Sequence, residues 1–289
     1  MKQIAWIGMG VMGAPMAGHL VKAGCRVAAY SRSLSQNAPE MERTYGVEAK
    51  STIREAVEDA DCIFVMVGYP RDVEEVFLGP GGILEHAKPG AYAVDMTTSS
   101  PALAARLYKE GKKRGIHVLD APVSGGDTGA KNAALTIMAG GDPEDFQAVL
   151  PLLSSMGKTI SHMGPAGAGQ HTKCCNQICI AGAAAGYTEA LVYAQKAGLD
   201  PQKVIDAVGG GSGTSWQLVN MGPRVLRGDF APGFFIKHFI KDMEIIQEES
   251  ESFGVTLEML ETVLALYQEM ADMGYENEGT QALIKYYRQ

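Results

Sequence analysis

The chain has little that would tie it to nucleic acid, to a metal or to a membrane. It has no basic stretch beyond Lys112-Lys113-Arg114, and 25 basic against 33 acidic residues give a formal net charge of −8. A nucleic-acid partner is therefore not expected. The five cysteines, Cys25, Cys62, Cys174, Cys175 and Cys179, are odd in number and lack metal-ligand spacing. Neither a disulfide framework nor a metal site is expected from them. The nearest approach to a membrane segment, Ile178 to Ala194, is crowded with Ala and Gly and carries Glu189. It predicts a buried, tightly packed helix rather than a membrane span. An apolar run begins at the third residue, leaving no room for a signal or transit peptide, so a soluble cytoplasmic protein is expected. Internal repeats and low-complexity tails are also lacking.

What is present is an ordinary globular composition, 46% apolar and 20% charged over 289 residues, enough for about two domains. The opening stretch organises the rest. An apolar run, Gln3 to Ile7, stops at Gly8, and Gly8, Gly10 and Gly13 follow with the spacing G-x-G-x-x-G around Met9, Val11 and Met12. Beyond Gly13, Met16, Leu20 and Val21 recur at helical spacing until Gly24, and a second strand, Arg26 to Tyr30, comes next. In strand, turn and helix, Gly8 makes the turn, Gly10 admits a pyrophosphate and Gly13 lets helix and strand pack. The helix N-terminus then favours the phosphate charge. A glycine-rich turn that binds nothing shares the spacing, but the strand before and the helix after are what a dinucleotide site needs.

Strand-like and helix-like stretches alternate to about residue 163. Strands are expected at Val47–Ala49, Cys62–Val67, Ala91–Asp95, Ile116–Asp120, Ala134–Ala139 and Lys158–His162. Helices are expected at Ala38–Thr44, Ile53–Glu58, Asp72–Phe77 and Pro101–Arg114. This predicts a mostly parallel, doubly wound α/β sheet of Rossmann type over residues 1–163. Strand signals stop after Gly164. One long helix is expected from near 168 to 197, then helical stretches near 201–208, 215–227, 236–252, 256–273 and 279–288. Residues 164–289 should therefore form an all-helical domain.

The end of the second strand carries no carboxylate for a ribose hydroxyl. It offers Ser31, Arg32 and Ser33, an arginine between hydroxyls that suits a 2′-phosphate, so NADP(H) is favoured over NAD(H). A surface arginine beside a solvated loop fits the same residues. Val67, at the end of its strand, is grouped with the cofactor residues. Ser124-Gly125-Gly126 follows a strand end, where exposed backbone N–H groups make a nest for a carboxylate; a simple turn is the alternative. Lys173 lies in the first turns of the long helix with Asn176 three residues on, sharing a face. The positive helix end and apolar surroundings both disfavour an ammonium, the direction that acid–base chemistry needs. A surface lysine at a helix start is the commoner case. Phe234 to Asp242 reads as an amphipathic helix with Lys237 and Lys241 on one face, and His162, His171 and His238 read as packing or solvated residues.

Five ordered blocks, Ile7–Gly13, Thr97–Pro101, Asp120–Gly126, Gly167–Gln177 and Phe234–Asp242, resemble the β-hydroxyacid dehydrogenase family nearly end to end. The resemblance implies an NAD(P)-dependent oxidoreductase of small β-hydroxy acids and their semialdehydes or keto acids. It implies Lys173 as general acid/base, Asn176 as the amide that orients substrate, and Ser124, Gly125 and Gly126 as the grip on a small carboxylate substrate. Thr97 falls where the family meets the nicotinamide ribose, Lys241 near the nicotinamide, and Asp242 beside it. Two positions depart from the pattern: Gln177 stands where many relatives carry a second asparagine, and Gly68-Tyr69-Pro70-Arg71 replaces an acidic-proline segment. Relatives that reduce imines often lack the lysine. An imine reductase and a catalytically silent dinucleotide-binding module remain the alternatives. The Ala/Gly-rich helical faces suggest a homo-oligomer, dimer or tetramer.

Overall fold

A computed structural model describes residues 2–32 and 34–288. The chain divides into two compact units, 1–173 and 174–289.

In the first unit the order is β1 (Gln3–Ile7), α1 (Gly13–Lys22), β2 (Arg26–Tyr30), α2 (Leu34–Tyr45), β3 (Glu48–Ala49), α3 (Ile53–Val57), β4 (Cys62–Val65), α4 (Pro70–Leu78), α5 (Ile83–His86), β5 (Tyr92–Asp95) and α6 (Pro101–Lys112). Then come β6 (His117–Asp120), β7 (Val123–Ser124), α7 (Gly126–Lys131), β8 (Leu135–Gly140), α8 (Pro143–Leu153) and β9 (Gly157–Gly164). The sheet runs β3-β2-β1-β4-β5-β6-β8-β7, with β9 also on β8. All pairings from β3 to β6 are parallel; β8 runs antiparallel to β6 and β7. The chain leaves β1 toward β2 on one side and returns to β4 on the other. That reversal opens the crevice where such sheets hold ligands.

Alternation along each strand builds two cores. Ile4, Trp6, Phe64, Val94 and Leu119 point to one face, where Met16 and Leu20 of α1 and Val149 of α8 cover them. Ala5, Ile7, Ile63, Val65 and Val118 point to the other, under Val73 and Phe77 of α4 and Leu107 of α6. With both faces covered, the strands read as continuous apolar runs. Trp6 and Phe64, paired across β1 and β4, stack at 5.5 Å between ring centroids. The Trp6 indole N–H then donates to the Gly8 carbonyl at 2.9 Å, joining the core to the glycine turn.

α9 (Ala168–Lys196) begins in the first unit and continues into the second, followed by α10 (Pro201–Gly209), α11 (Trp216–Leu226), α12 (Ile236–Ser252) and α13 (Glu258–Asp272). The last segment, Thr280–Arg288, is a 3-10 helix. Phe239, Met243 and Ile246 of α12 pack with Leu264, Tyr267 and Met270 of α13 in one core, and Tyr187, Leu191, Ile205 and Leu218 form a second. The helix starts follow their caps: the Ser100, Asp200 and Ser215 side chains each accept a backbone N–H of the following turn.

The fold is the expected doubly wound α/β unit with an all-helical region after it. Four elements lie outside the sequence expectations: α5, β7, α7 and α8. The start of α8, Asp142-Pro143-Glu144, has helix-opening chemistry, but the Asp142 carboxylate turns to the Tyr108 hydroxyl and to Lys112 rather than capping its own helix. The segment Ile178–Ala194 is not buried on all sides. Ala181, Ala184, Tyr187 and Leu191 are buried, while Cys179, Gly186, Glu189 and Tyr193 are exposed. Among the described residues no helix is long and apolar enough to cross a membrane.

Replacing Trp6 by Phe should keep the stack on Phe64 but lose the bond to Gly8 and some ring volume. A loss of about 1–3 kcal/mol in urea unfolding is expected; an unchanged midpoint would show that the turn does not draw on the indole.

Candidate active site

The glycine turn sits at the carboxyl ends of β1 and β4. Gly8 has φ +102°, and a Cβ there would lie 2.1 Å from the Met66 carbonyl oxygen, so only glycine fits. A Cβ on Gly13 would lie 2.0 Å from the Gly8 carbonyl oxygen and 2.9 Å from the Trp6 indole nitrogen, so Gly13 serves packing. Gly10 differs: a Cβ there would meet nothing within 4 Å, and the added methyl would project into open space beside the turn. Met9 is buried, Met12 half-buried and Val11 58% exposed. α1 opens with no side-chain cap and no acidic residue in its first turn, so its positive end is left uncompensated. These features fit a bound pyrophosphate.

At the end of β2 the fold adds what the local sequence lacks. Asp72 of α4 brings a carboxylate to Arg32, with Nη2 to Oδ1 at 3.1 Å. The other oxygen of Asp72 accepts the Tyr69 N–H at 3.1 Å, closing a cap at the start of α4. Arg71 lies over the Tyr69 ring at 5.3 Å. Together with Gly68 and Glu75 these residues line an open cleft of about 330 Å³. Arg32 remains 74% exposed, so the ion pair anchors it without hiding it. To the hydroxyls that flank Arg32 in the sequence, the fold adds the Asp72 carboxylate. Ser31 is half-buried, and Ser33 lies outside the described residues. The signal for Asp72 was its place as third residue of a proline-started helix, a capping position.

Farther along the same sheet edge, hydrogen bonds run from strand to strand. The Val67 N–H donates to the Thr97 hydroxyl at 3.0 Å, and the Thr97 N–H donates to Asp95 Oδ1 at 3.0 Å. Gln170, fully buried on α9, donates through Nε2 to the Thr97 carbonyl at 2.7 Å and accepts the Ser99 N–H at 3.0 Å. Asp120, at the end of β6, accepts the Gly167 N–H at 2.7 Å and the Gln170 N–H at 2.8 Å. Burial pushes the Asp120 carboxyl above the ordinary range, while those N–H groups hold it down. Its oxygens cap α9 from a strand fifty residues away. Neither Asp120 nor Gln170 was marked as a site residue by sequence; spacing carries no sign of such a contact.

Lys173 follows on the same helix. It is 6% exposed, and its ammonium donates to the Val123 carbonyl at 2.9 Å. Ser124 is next in the chain, and Gly125 has φ +132° as Gly126 opens α7. The expected open loop is thus a short edge strand running into a helix start, because Val123 and Ser124 pair with Ile137 and Thr136 of β8. The surface-lysine alternative is excluded by this burial.

In the helical unit, Asn176 Nδ2 donates to Gln177 Oε1 at 2.8 Å, and Gln177 Nε2 donates to Asp242 Oδ2 at 2.6 Å. Lys241 and Asp242 pair at 2.6 Å, with side chains 10% and 2% exposed. His238 packs edge-on against Phe235, and its burial, with Lys241 and Lys237 nearby, lowers its pKa. His162 donates its Nε2–H to the Gly141 carbonyl at 2.8 Å and lies against Phe146, whereas His171 is exposed.

Fold and motif together define the class: an oxidoreductase with an NAD(P)-binding Rossmann unit. Residues 3–164 match the NAD-binding domain of 6-phosphogluconate dehydrogenase, and residues 167–287 match the NAD-binding region of NADP-dependent 3-hydroxyisobutyrate dehydrogenase. The chain belongs to the β-hydroxyacid dehydrogenase family. It is 48% identical over 284 residues to an uncharacterised oxidoreductase of Bacillus subtilis, covering 98% of each chain. It is 36% identical over 282 residues to an NAD-dependent L-serine dehydrogenase of Pseudomonas aeruginosa, covering 95% of this chain and 94% of that one. The structure of Mycobacterium tuberculosis 3-hydroxyisobutyrate dehydrogenase with L-serine superposes with a TM-score of 0.90 at 31% identity over 100% of both chains.

The glycine geometry yields a pair of opposed outcomes. Gly10→Ala should leave unfolding within about 0.5 kcal/mol and weaken NAD(P)H binding in fluorescence titration. Gly13→Ala should lower stability by about 1–3 kcal/mol. Equal effects of the two on stability would contradict the assigned roles.

Proposed function

We propose that this protein interconverts a small β-hydroxy acid and its semialdehyde or keto acid, with Lys173 as the general acid/base. The observation that carries the proposal is the burial of Lys173 with its Nζ 2.9 Å from the Val123 carbonyl, one residue before the Ser124–Gly126 segment. An amine held beside a carboxylate nest has an acid–base group and an anchor for a hydroxy acid within one side-chain length. A bound nicotinamide would accept the hydride from the carbinol carbon during oxidation and return it during reduction. Lys173, as the neutral amine, takes the hydroxyl proton in oxidation; as the ammonium it gives the proton back in reduction, with the Val123 carbonyl as a hydrogen-bond partner. Such proton transfer contributes about 10²–10⁴-fold. Ser124, Gly125 and Gly126 bind the substrate carboxylate, and Asn176 orients the substrate.

In this reading residues 1–163 bind the dinucleotide and residues 164–289 serve substrate binding and assembly into a dimer or tetramer. Gly8, Met9, Gly10, Val11, Met12 and Gly13 hold the pyrophosphate. Val67, Thr97 and Lys241 border the nicotinamide half. We favour NADP(H). Relatives include both NAD- and NADP-dependent enzymes, so the choice rests on the chain's own residues. Arg32, exposed yet anchored by Asp72, offers a guanidinium for a 2′-phosphate, and Ser31 adjoins it.

A panel of 3-hydroxyisobutyrate, L-serine and 2-(hydroxymethyl)glutarate, with amine–ketone pairs alongside, tests the reaction class at the nicotinamide absorbance. Turnover only with amine and ketone would replace the proposal by imine reduction. Lys173→Ala should lower kcat by about 10²-fold or more with the cofactor dissociation constant nearly unchanged; an unchanged kcat would remove the lysine from its role. Arg32→Ala should weaken NADP(H) binding by about tenfold or more, the worth of one charge-assisted bond, and leave NAD(H) binding within about threefold. Equal losses for both would overturn the NADP(H) preference.

A further inference from the structure

We infer that Gln177 and Asp242 are positioning residues that fix which way the Asn176 amide faces. This rests on the proposed role of Asn176 toward substrate, but its geometry stands within the helical unit alone. The order of donors and acceptors leaves no freedom. Asp242 lies against the Lys241 ammonium at 2.6 Å, an ion pair by distance rather than an aligned hydrogen bond, and a carboxylate there accepts and does not donate. Gln177 must therefore turn its Nε2 toward Asp242 Oδ2, as it does at 2.6 Å. Its Oε1 is then directed to the other neighbour, Asn176, and can only accept. Asn176 must answer with Nδ2, at 2.8 Å.

Each amide is thus oriented by the one before it, and the sequence starts at a charge. Flipping Gln177 would set an oxygen against a carboxylate and, at the same time, an amide nitrogen against an amide nitrogen. Gln177 is only 1% exposed, so water cannot relieve either clash. Asn176 is left with its Oδ1 and one Nδ2 hydrogen in a fixed sense. A hydroxy acid arriving one helical turn beyond Lys173 meets the same acceptor and donor at every encounter. Position 177 needs the length of glutamine, because the side chain must reach Asp242 and the neighbouring Asn176 together.

The experiment has two readouts. The first needs no substrate: the chain has only five asparagines, so protein labelled with 15N at asparagine gives few side-chain amide signals, and Asn176→Ala assigns the one from Asn176. One of its Nδ2 hydrogens should be protected from solvent exchange, and Gln177→Met should speed that exchange by roughly tenfold or more while the fold persists. Unchanged exchange overturns the inference. The second readout is kinetic, with 3-hydroxyisobutyrate and NADP+. Gln177→Met should lower kcat by roughly tenfold to a hundredfold with little change in the KM for NADP+, and have no further effect in an Asn176→Ala background. The same fold-loss in both backgrounds overturns the inference, since Gln177 would then act by another route. Should Gln177→Met fail to fold, Gln177→Asn keeps an amide but cannot span both partners, and the same two outcomes apply to it. If Lys173→Ala and Asn176→Ala both leave turnover intact, the functional reading falls, and the exchange measurement still decides the orientation of the amide.

Discussion

The first turn of α9 is held by a single buried carboxylate, and the site geometry of the α/β unit depends on that hold. Asp120 sits at the end of β6, and its oxygens take the N–H groups of Gly167 and Gln170, two donors that a helix start cannot satisfy by itself. A negative group at the positive end of a helix is favourable for the dipole as well. With the turn held, Gln170 reaches the Thr97–Ser99 segment and Lys173 reaches the Val123 carbonyl. The end of β6, the segment after β5 and the start of β7 are thereby tied to one helix, each through a buried side chain that meets a backbone group.

A second hold lies at the β1 turn and has a different physical character. There the constraint is steric. Gly8 and Gly13 have carbonyl oxygens within about 2 Å of where a Cβ would be, and the Trp6 indole adds a hydrogen bond beneath them. Gly10 is the one of the three with open space where a Cβ would be, so packing alone does not require glycine there. Arg32 extends the same edge, and its pairing with Asp72 shows how an exposed cation is aimed without being buried. An exposed pair of this kind adds little stability; its use is orientation.

The helical unit repeats the theme with amides. A short chain from Lys241 through Asp242 and Gln177 to Asn176 converts a buried charge into a direction. Buried polar groups of this sort cost more when half-satisfied than when absent, so the whole set tends to stand or fall together. That couples the Asn176 amide to the interior of α12.

The local sequence determined what depends on neighbours along the chain. The run Cys62-Ile63-Phe64-Val65 can only be a doubly covered strand, Ser100-Pro101 opens a helix, the spacing of Gly8, Gly10 and Gly13 builds a turn, and α12 has the bounds 236–252 that its apolar period requires. It was silent where the partner is remote. Nothing near Arg32 announces Asp72, nothing near Asp120 announces Gly167 and Gln170, and Gln177 read alone is only a departure from a pattern. α8 had its opening signal in Asp142-Pro143-Glu144, but that the Asp142 carboxylate serves Tyr108 and Lys112 is visible only in the fold. Helix and strand follow from short-range periodicity, whereas the direction of a buried donor or acceptor follows from whatever the packed chain sets opposite it, and that only the tertiary structure decided.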